Sequence, residues 1–200
     1  MIRGRPPAFD RDAALGQAML VFWKHGYDTT SITALTEAMG INASSLYAAF
    51  GDKRSLFTAV VRHYRQGPAR FTSTPLDEAP TAREAVERLL RAAANVYAGS
   101  GHPPGCLVIS GATNCTPHSA DVQAELRAIR AEGLRALEHR VAAGIRAHEL
   151  PADTDAHALA AFYSATLQGM SGLARDGATR TDLDDVITMA LAAWPGKQTE

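Results

Sequence analysis

The chain is short of the features that mark several large classes of protein. Only two of its 200 residues are cysteine, too few for a disulfide framework. No apolar run approaches the roughly 18 residues that a membrane-spanning helix needs. The charged N-terminus MIRGRPPAFD is not followed by the apolar stretch of a secretory signal. We therefore expect a cytoplasmic protein with no membrane partner.

Motifs typical of enzymes are also missing. The sequence contains no G-x-S-x-G, no P-loop, no H-E-x-x-H and no dinucleotide-binding glycine motif. His102, Cys106, Cys115 and His118 are spaced as H-x3-C-x8-C-x2-H, and each half of this pattern could chelate zinc. Two buried thiols and two surface histidines explain the same pattern more simply. We predict no metal, no cofactor and no catalytic residue.

What the chain does have is an uneven distribution of charge. Its formal net charge is −1. Residues 1–66 nevertheless carry eight Lys or Arg against five Asp or Glu, whereas residues 67–200 carry twelve against sixteen. A basic N-terminal part and an acidic remainder indicate different partners for the two parts of the chain.

Apolar residues recur at helical spacing nearly throughout. The stripes lie within residues 15–22, 32–39, 57–64, 81–98, 121–148, 153–174 and 183–194. Residues 67–80 hold three prolines and predict a loop, whereas the apolar segment 106–114 fits either a short helix or a buried strand. The prediction is an all-α fold of about nine helices. We expect an N-terminal domain at 1–66, with an arm at 1–9 and a linking helix at 52–66, and a second domain at 67–200.

Residues 31–50 are the most informative segment. A helix that ends at Gly40, a tight turn and a second very short helix form the layout of a helix-turn-helix. Thr30 or Ser31 can cap the first helix, and Asn42 can cap the second. Ser44 and Ser45 at the start of the second helix could contact base edges. The hydroxyl of Tyr47 and the charge of Lys53 suit phosphate contacts, although an ordinary helical hairpin has the same spacing.

This part of the chain resembles the TetR family of bacterial transcriptional repressors. The resemblance covers roughly residues 10–60 and rests on the following residues: Phe22-Trp23-Lys24-His25-Gly26-Tyr27-Asp28-Thr29-Thr30-Ser31-Ile32, Met39-Gly40-Ile41, Ser45-Leu46-Tyr47 with Phe50, and Lys53 with Leu56-Phe57. It implies a three-helix reader of a near-palindromic double-stranded DNA operator, a homodimer, and C-terminal helices that bind a small-molecule inducer. Residues 3–6, Arg-Gly-Arg-Pro, resemble an arm that enters the minor groove of A·T-rich DNA.

The predicted DNA contacts follow from these two lines of argument. They are Arg3, Arg5, Thr30, Ser31, Thr33, Asn42, Ala43, Ser44, Ser45, Tyr47 and Lys53. Many family members open the recognition helix with a basic residue and a glycine, where this chain has Ala43 and Ser44. The helix therefore offers a small, neutral surface to the bases, which leaves the operator sequence open.

Two further sites are predicted in the C-terminal part, mainly from the resemblance. A ligand pocket between helices is expected to use Phe57, Tyr64, Phe71, Tyr97, Cys106, Ile109, His118, Phe162 and Met170. A dimer interface is expected at Leu159, Phe162, Thr166, Gly169, Leu183, Val186, Ile187, Leu191 and Trp194. These apolar stripes look too wide for one helix pair to bury within a monomer, although both could also pack on helix 121–148.

Other functions stay open at this point. The two cysteines allow a regulator that senses oxidants or electrophiles through its thiols. An all-α enzyme could use Cys115 and His118, and a helical adaptor could bind another protein without binding DNA. The resemblance favours a DNA-binding repressor whose linking helix, residues 52–66, carries the effect of an inducer to the reader.

Overall fold

The protein is described by a computed structural model that covers residues 10–113 and 115–196. These residues form ten α-helices and no β-strand, so the predicted all-α class is confirmed. The helices are α1 (Arg11–His25), α2 (Ile32–Met39), α3 (Ala43–Phe50), α4 (Lys53–Gln66), α5 (Thr74–Glu78), α6 (Ala82–Tyr97), α7 (Leu107–Ser110), α8 (Ala120–Arg146), α9 (Ala156–Arg175) and α10 (Arg180–Ala192).

Side-chain caps set the starts of the N-terminal helices. Of the two candidates before α2, Ser31 is the cap, because its hydroxyl accepts the N–H of Ala34. The Asn42 side chain accepts the N–H of Ser45 at 2.8 Å and so begins α3. Gly40, at φ +65°, adopts the left-handed conformation that lets the chain turn sharply between α2 and α3.

The first four helices share a dense apolar core. α1 packs against both α2 and α4, while α3 packs against α2 and α4 through its two buried residues, Leu46 and Phe50. Phe22 and Phe57 are fully buried, and their rings meet edge to face at 5.0 Å. Because this core fixes α3 on the bundle by its apolar side, the polar start of α3 faces outward.

The structure corrects one expectation about local conformation and decides between two alternatives for another segment. The segment predicted as a loop at 67–80 contains a 3-10 turn, Arg70–Thr72, and the short helix α5. Pro75 is tolerated there because it stands in the first turn, where no helical N–H bond is needed, and Leu76 is buried. Of the two predictions for the apolar segment 106–114, the short helix is confirmed, because α7 is a single helical turn.

The remaining helices form the body of the molecule around the 27-residue helix α8. α9 packs along α8, and α6 packs against α8, α9 and α10. Leu90, Leu126, Tyr163 and Met170 are fully buried between these helices. α7 is placed where the two parts of the chain meet, because it contacts α1, α4 and α8.

Polar contacts join α4 to the long helix α8. The Arg54 guanidinium donates to the carboxylates of Asp121 and Glu125, the latter at 2.6 Å. Three turns further along α4, Arg65 donates to both oxygens of Glu132 at 3.0 Å. The spacing of these pairs aligns α4 lengthwise on α8, so a shift of α8 must either move α4 or break the pairs.

Candidate functional site

The outer surface of the helix-turn-helix carries most of the predicted DNA contacts. Seven of them are at least partly exposed on α2, α3 and the turn between them: Ser31, Thr33, Asn42, Ala43, Ser44, Ser45 and Tyr47. The Tyr47 side chain is among the most exposed large apolar groups of the described residues, at 47%. The Ser44 hydroxyl donates to the Asn42 side chain at 2.6 Å, which holds both polar groups at the start of α3.

The prediction for Thr30 is wrong. Thr30 is buried, and its hydroxyl donates to the carbonyl of Gly26 at 2.6 Å. Its side chain therefore closes the turn after α1 and has no exposed polar atom for DNA. The sequence did not reveal this because a threonine beside a helix start suits a cap, a turn or a phosphate contact equally well. Arg3 and Arg5 lie outside the described residues.

Lys53 stands at the start of α4, where it is half-buried beside the turn that follows α1. Its ammonium lies 4.4 Å from the centre of the Tyr27 ring and 3.4 Å from the carbonyl oxygen of Asp28. Burial lowers the pKa of Lys53, and the nearby Asp28 opposes this change. The lysine therefore fixes the turn in place and has further N–H donors for a phosphate.

A cavity of about 210 Å³ lies in the body, among α5, α6, α7, α8 and α9. It is lined by Arg65, Ala69, Thr72, Ser73, Leu76, Asp77, Leu89, Tyr97, Cys106, Val108, Ile109, Ile129, Arg130, Glu132, Gly133, Leu134, Ala136, Leu137, Ser164, Leu167 and Gln168. An apolar cavity with a few polar groups on its wall is the usual form of a small-molecule site.

Three of the nine predicted ligand contacts line this cavity: Tyr97, Cys106 and Ile109. Phe57 belongs to the core of the N-terminal helices, and His118 is exposed in a 3-10 turn, so neither reaches it. Tyr64 and Phe71 lie behind the lining residues, while Phe162 and Met170 face a different groove. Periodicity identifies apolar residues, but it does not distinguish those around a cavity from those in a filled core.

Cys106 connects the cavity to the N-terminal helices. Its thiol accepts a hydrogen bond from the buried Tyr64 hydroxyl at 3.4 Å. Burial raises the pKa of the Cys106 thiol, and this bond from Tyr64 opposes the increase. Burial also raises the pKa of Tyr64 and of Tyr97, so the three groups are neutral near pH 7.

Helix α7, which follows Cys106, contacts the N-terminal helices directly. α7 begins with Leu107 and contacts α1 and α4. Immediately after α7, the carbonyl of Gly111 accepts the N–H of Tyr27 at 2.8 Å. The carboxylate of Asp28 accepts the N–H of Thr116 and the hydroxyl of Ser119. The turn after α1 is thus held by residues that follow the cavity-lining residues Cys106, Val108 and Ile109 in the chain.

A second, open groove lies on the surface between α9 and α10. Of the predicted dimer contacts, Phe162, Thr166, Gly169 and Val186 line it. The most exposed large apolar residue of the described chain, Met189 at 73%, lies beside them. Exposed apolar residues gathered in one groove indicate an interaction surface.

The other predicted dimer contacts need correction. Leu183, Ile187 and Leu191 are buried inside the chain, because α10 turns that face towards α6 and α9. Leu159 and Trp194 are partly buried and pack on the small cluster around Val141 and Leu150. The apolar stripe of α10 is therefore mostly used within one copy, contrary to the expectation from its width.

The cysteines and histidines do not come together as a metal site in the part of the chain that the structure describes. No three His, Cys, Asp or Glu side chains are grouped there so as to hold a metal ion. The ring of His102 instead stacks on Trp23 at 4.7 Å. Among these same residues, no helix is long and apolar enough to cross a membrane.

Two known families match separate parts of the chain. Residues 14–60 match the family described as bacterial regulatory proteins, tetR family. Residues 82–190 match the tetracyclin repressor-like C-terminal domain. Together these matches include the helix-turn-helix and most of the helices around the cavity.

Similar proteins match over nearly the whole chain. The HTH-type transcriptional repressor ComR of Escherichia coli (strain K12) is 37% identical, over 96% of this chain and 92% of its own length. The HTH-type transcriptional repressor BdcR of the same organism is 32% identical, over 94% and 91% respectively.

Among solved structures, a cysteine mutant of the TetR family transcriptional regulator CifR is 46% identical and has a TM-score of 0.91. The match covers 96% of this chain and 100% of that one, which was solved in complex with 26-base-pair operator DNA. The exposed polar start of α3, the family matches and these relatives lead to the same conclusion. The chain belongs to the TetR family of bacterial regulatory proteins, and it is a DNA-binding transcriptional repressor.

Proposed function

We propose that a small molecule bound in the cavity releases this repressor from its operator. The proposal rests on the position of α7, which lies between the cavity and the N-terminal helices α1–α4, here called the reader. Val108 and Ile109 of α7 line the cavity, and α7 itself contacts α1 and α4. A ligand that displaces α7 must therefore change how the reader is held.

The energetic requirement for such release is modest. A ligand must bind better to a conformation whose two readers no longer fit the operator. A coupling of about 1–3 kcal/mol between ligand and DNA, the usual range for allosteric proteins, changes DNA affinity by about 5- to 150-fold. The antagonism is reciprocal, so operator DNA weakens ligand binding by the same factor.

For operator reading, we propose that the start of α3 contacts base edges while the flanking residues contact phosphate. The exposure of Ser44, Ser45 and Tyr47 supports this arrangement. In this proposal Arg3 and Arg5 enter the adjacent minor groove. Two readers related by twofold symmetry would recognise half-sites one or more DNA turns apart, at about 34–36 Å or a multiple of it.

The groove between α9 and α10 is the proposed contact between the two copies. A twofold interface brings the same patch of both subunits together. Phe162 and Met189 would then be covered by the partner, which removes an exposed apolar surface from water. In this proposal the domain boundary follows α4, at Gly67, so each reader is attached to the dimer by its own α4.

We further infer that the chain acts as a regulator in the cytoplasm and has no enzymatic activity. Burial raises the pKa of the Cys115 thiol, whereas a catalytic cysteine needs a lowered one. His118 is exposed on the surface, in a 3-10 turn. Binding to chromosomal DNA requires that the repressor work where the chromosome lies.

Sensing of electrophiles through Cys106 is a second candidate function, because its thiol lines the cavity. In this case the sulfur would form a bond to an electrophilic carbon, while the C=C π bond of an activated alkene or the C–O bond of an epoxide breaks. The thiol proton would then pass to the carbon or oxygen that receives this electron pair. Attachment of a group inside a cavity of about 210 Å³ would press on α7 as a bound ligand would. The neutral state of the thiol at pH 7 makes this reaction slow.

The reader can be tested with Tyr47→Phe, once the operator has been recovered by sequencing genomic fragments that the purified protein retains. We expect operator affinity to fall about three- to tenfold, the effect of one lost hydrogen bond, with no change in melting temperature. Tyr163→Phe removes the same atom from a buried bond to Ala190 and should lower stability instead. Equal operator affinity for Tyr47→Phe and the wild type would contradict the role of Tyr47.

The dimer face can be tested with Met189→Asp. A buried charge on each side of a twofold interface should yield a monomer in analytical ultracentrifugation. Loss of the linked second reader should lower operator affinity by about 100-fold. Ala128→Asp places a similar charge at an exposed position of α8 and should stay dimeric. A dimeric Met189→Asp variant would show that the interface lies elsewhere.

The cavity can be tested by filling it from Gly133. A Cβ atom at this position of α8 meets no heavy atom within 4 Å, and glycine costs about 1 kcal/mol in a helix, so substitution is tolerated. Gly133→Leu should keep operator affinity but resist release by compounds that release the wild type. Gly133→Ala, which adds only one methyl group, should stay responsive. If Gly133→Leu is released at the same compound concentrations, the effector binds elsewhere.

The thiol candidate predicts that N-ethylmaleimide releases operator DNA by adding to Cys106. Since burial raises the pKa of this thiol, the thiolate fraction and the rate should increase about tenfold per pH unit near neutrality. Cys106→Ser should abolish release, whereas Cys115→Ser should not. Release of the Cys106→Ser variant at the wild-type rate would exclude this candidate.

A further inference from the structure

Four charged residues line the cavity, and Arg130 differs from the other three in its surroundings. Arg65 and Glu132 form an ion pair with each other, and Asp77 is exposed at the rim. Arg130 is half-buried, and no carboxylate among residues 10–113 and 115–196 forms an ion pair with it. Its one hydrogen bond in the described structure is to the carbonyl of Val108, at 2.7 Å.

This environment is unfavourable for a cation. A guanidinium has five N–H donors in a planar fork and stays charged at neutral pH. Burial lowers the pKa of Arg130, and the nearby Arg127 lowers it further. Both effects would be relieved by an anion placed against the guanidinium.

Apolar side chains make up a large part of the rest of the wall. Ile129 and Leu134 flank it on α8, and Ile109 and Leu167 come from α7 and α9. Resting on the proposed function, we infer that the effector is a small amphipathic carboxylate. Its carboxylate pairs with Arg130, and its apolar body occupies the space between these side chains.

Pairing of a carboxylate with Arg130 would also change how the reader is held. In the described structure Arg130 holds α7 through the Val108 carbonyl. A carboxylate accepts two hydrogen bonds from a guanidinium and forms stronger ones than a carbonyl does. A bound carboxylate would therefore compete with the Val108 carbonyl for the N–H donors of Arg130. This competition would weaken the attachment of α7 to α8, and α7 contacts α1 and α4.

The size of the cavity sets the choice of probes. A volume of 210 Å³ equals that of about seven water molecules at ~30 Å³ each. Hexanoate and benzoate have roughly this size. Hexan-1-ol and benzamide have nearly the same shape and no charge, so the two pairs isolate the contribution of the carboxylate.

The experiment measures binding of all four compounds to the full-length protein by titration calorimetry at pH 7, together with release of operator DNA. We expect each carboxylate to bind about tenfold or more tightly than its neutral partner, as one charge-assisted contact implies. Arg130→Gln should remove this preference, and Arg130→Lys should retain part of it. Arg127→Gln, a matched control at an exposed position of α8, should keep this preference in full.

Melting temperature and circular dichroism establish that the Arg130 variants are folded. If Arg130→Gln does not fold, Arg130→Lys replaces it in the test. Equal binding of acid and neutral partner by the wild type would overturn the inference, as would failure of both carboxylates to bind at millimolar concentration. A preference that survives Arg130→Gln would overturn it too. If hexan-1-ol or benzamide releases the operator without dependence on Arg130, the proposed function stands and only the carboxylate is wrong.

Discussion

The alignment of α4 on α8 is the constraint on which the rest of the molecule depends. It is held by ion pairs between Arg54 and the acids Asp121 and Glu125, and between Arg65 and Glu132. These side chains are partly exposed, and such pairs contribute about 0–1 kcal/mol each. A contact of this strength orients the reader and can still be exchanged for another arrangement, as a switch with two states of similar free energy requires.

The apolar contacts between the reader and the body resist rearrangement more strongly than these ion pairs do. Trp23 of α1 is fully buried, packs edge to face on Tyr64 at 4.8 Å and stacks on His102. Tyr64 in turn bonds to Cys106, on the wall of the cavity. Close packing of this kind transmits a displacement instead of absorbing it. In the proposed release, the aromatic contacts and the weak ion pairs together would favour rotation of the reader as a unit over its deformation.

The ion pairs also change the meaning of the charge distribution. Two of the eight basic residues of the N-terminal part, Arg54 and Arg65, are neutralised by acids of α8. Lys53 is held against Tyr27 and Asp28. The attraction of the reader for phosphate is therefore weaker than its formal charge indicates. In our proposal, the hydroxyl contacts from α3 and the contacts of the arm gain importance for the same reason.

Local sequence determined the parts of the fold that depend on neighbouring residues. The cap at Asn42, the turn at Gly40 and the stripe of α1 all follow from spacing and backbone chemistry, so the helix-turn-helix and the all-α class could be predicted. The burial of Thr30, the contact of Arg130 with Val108 and the burial of Leu183 and Ile187 inside one copy could not. Each of these depends on which distant helix covers a given face, and a periodic sequence does not encode that choice locally. Only the tertiary structure decided it, because packing between α6, α9 and α10, and between α7 and α8, brings together residues far apart in the chain.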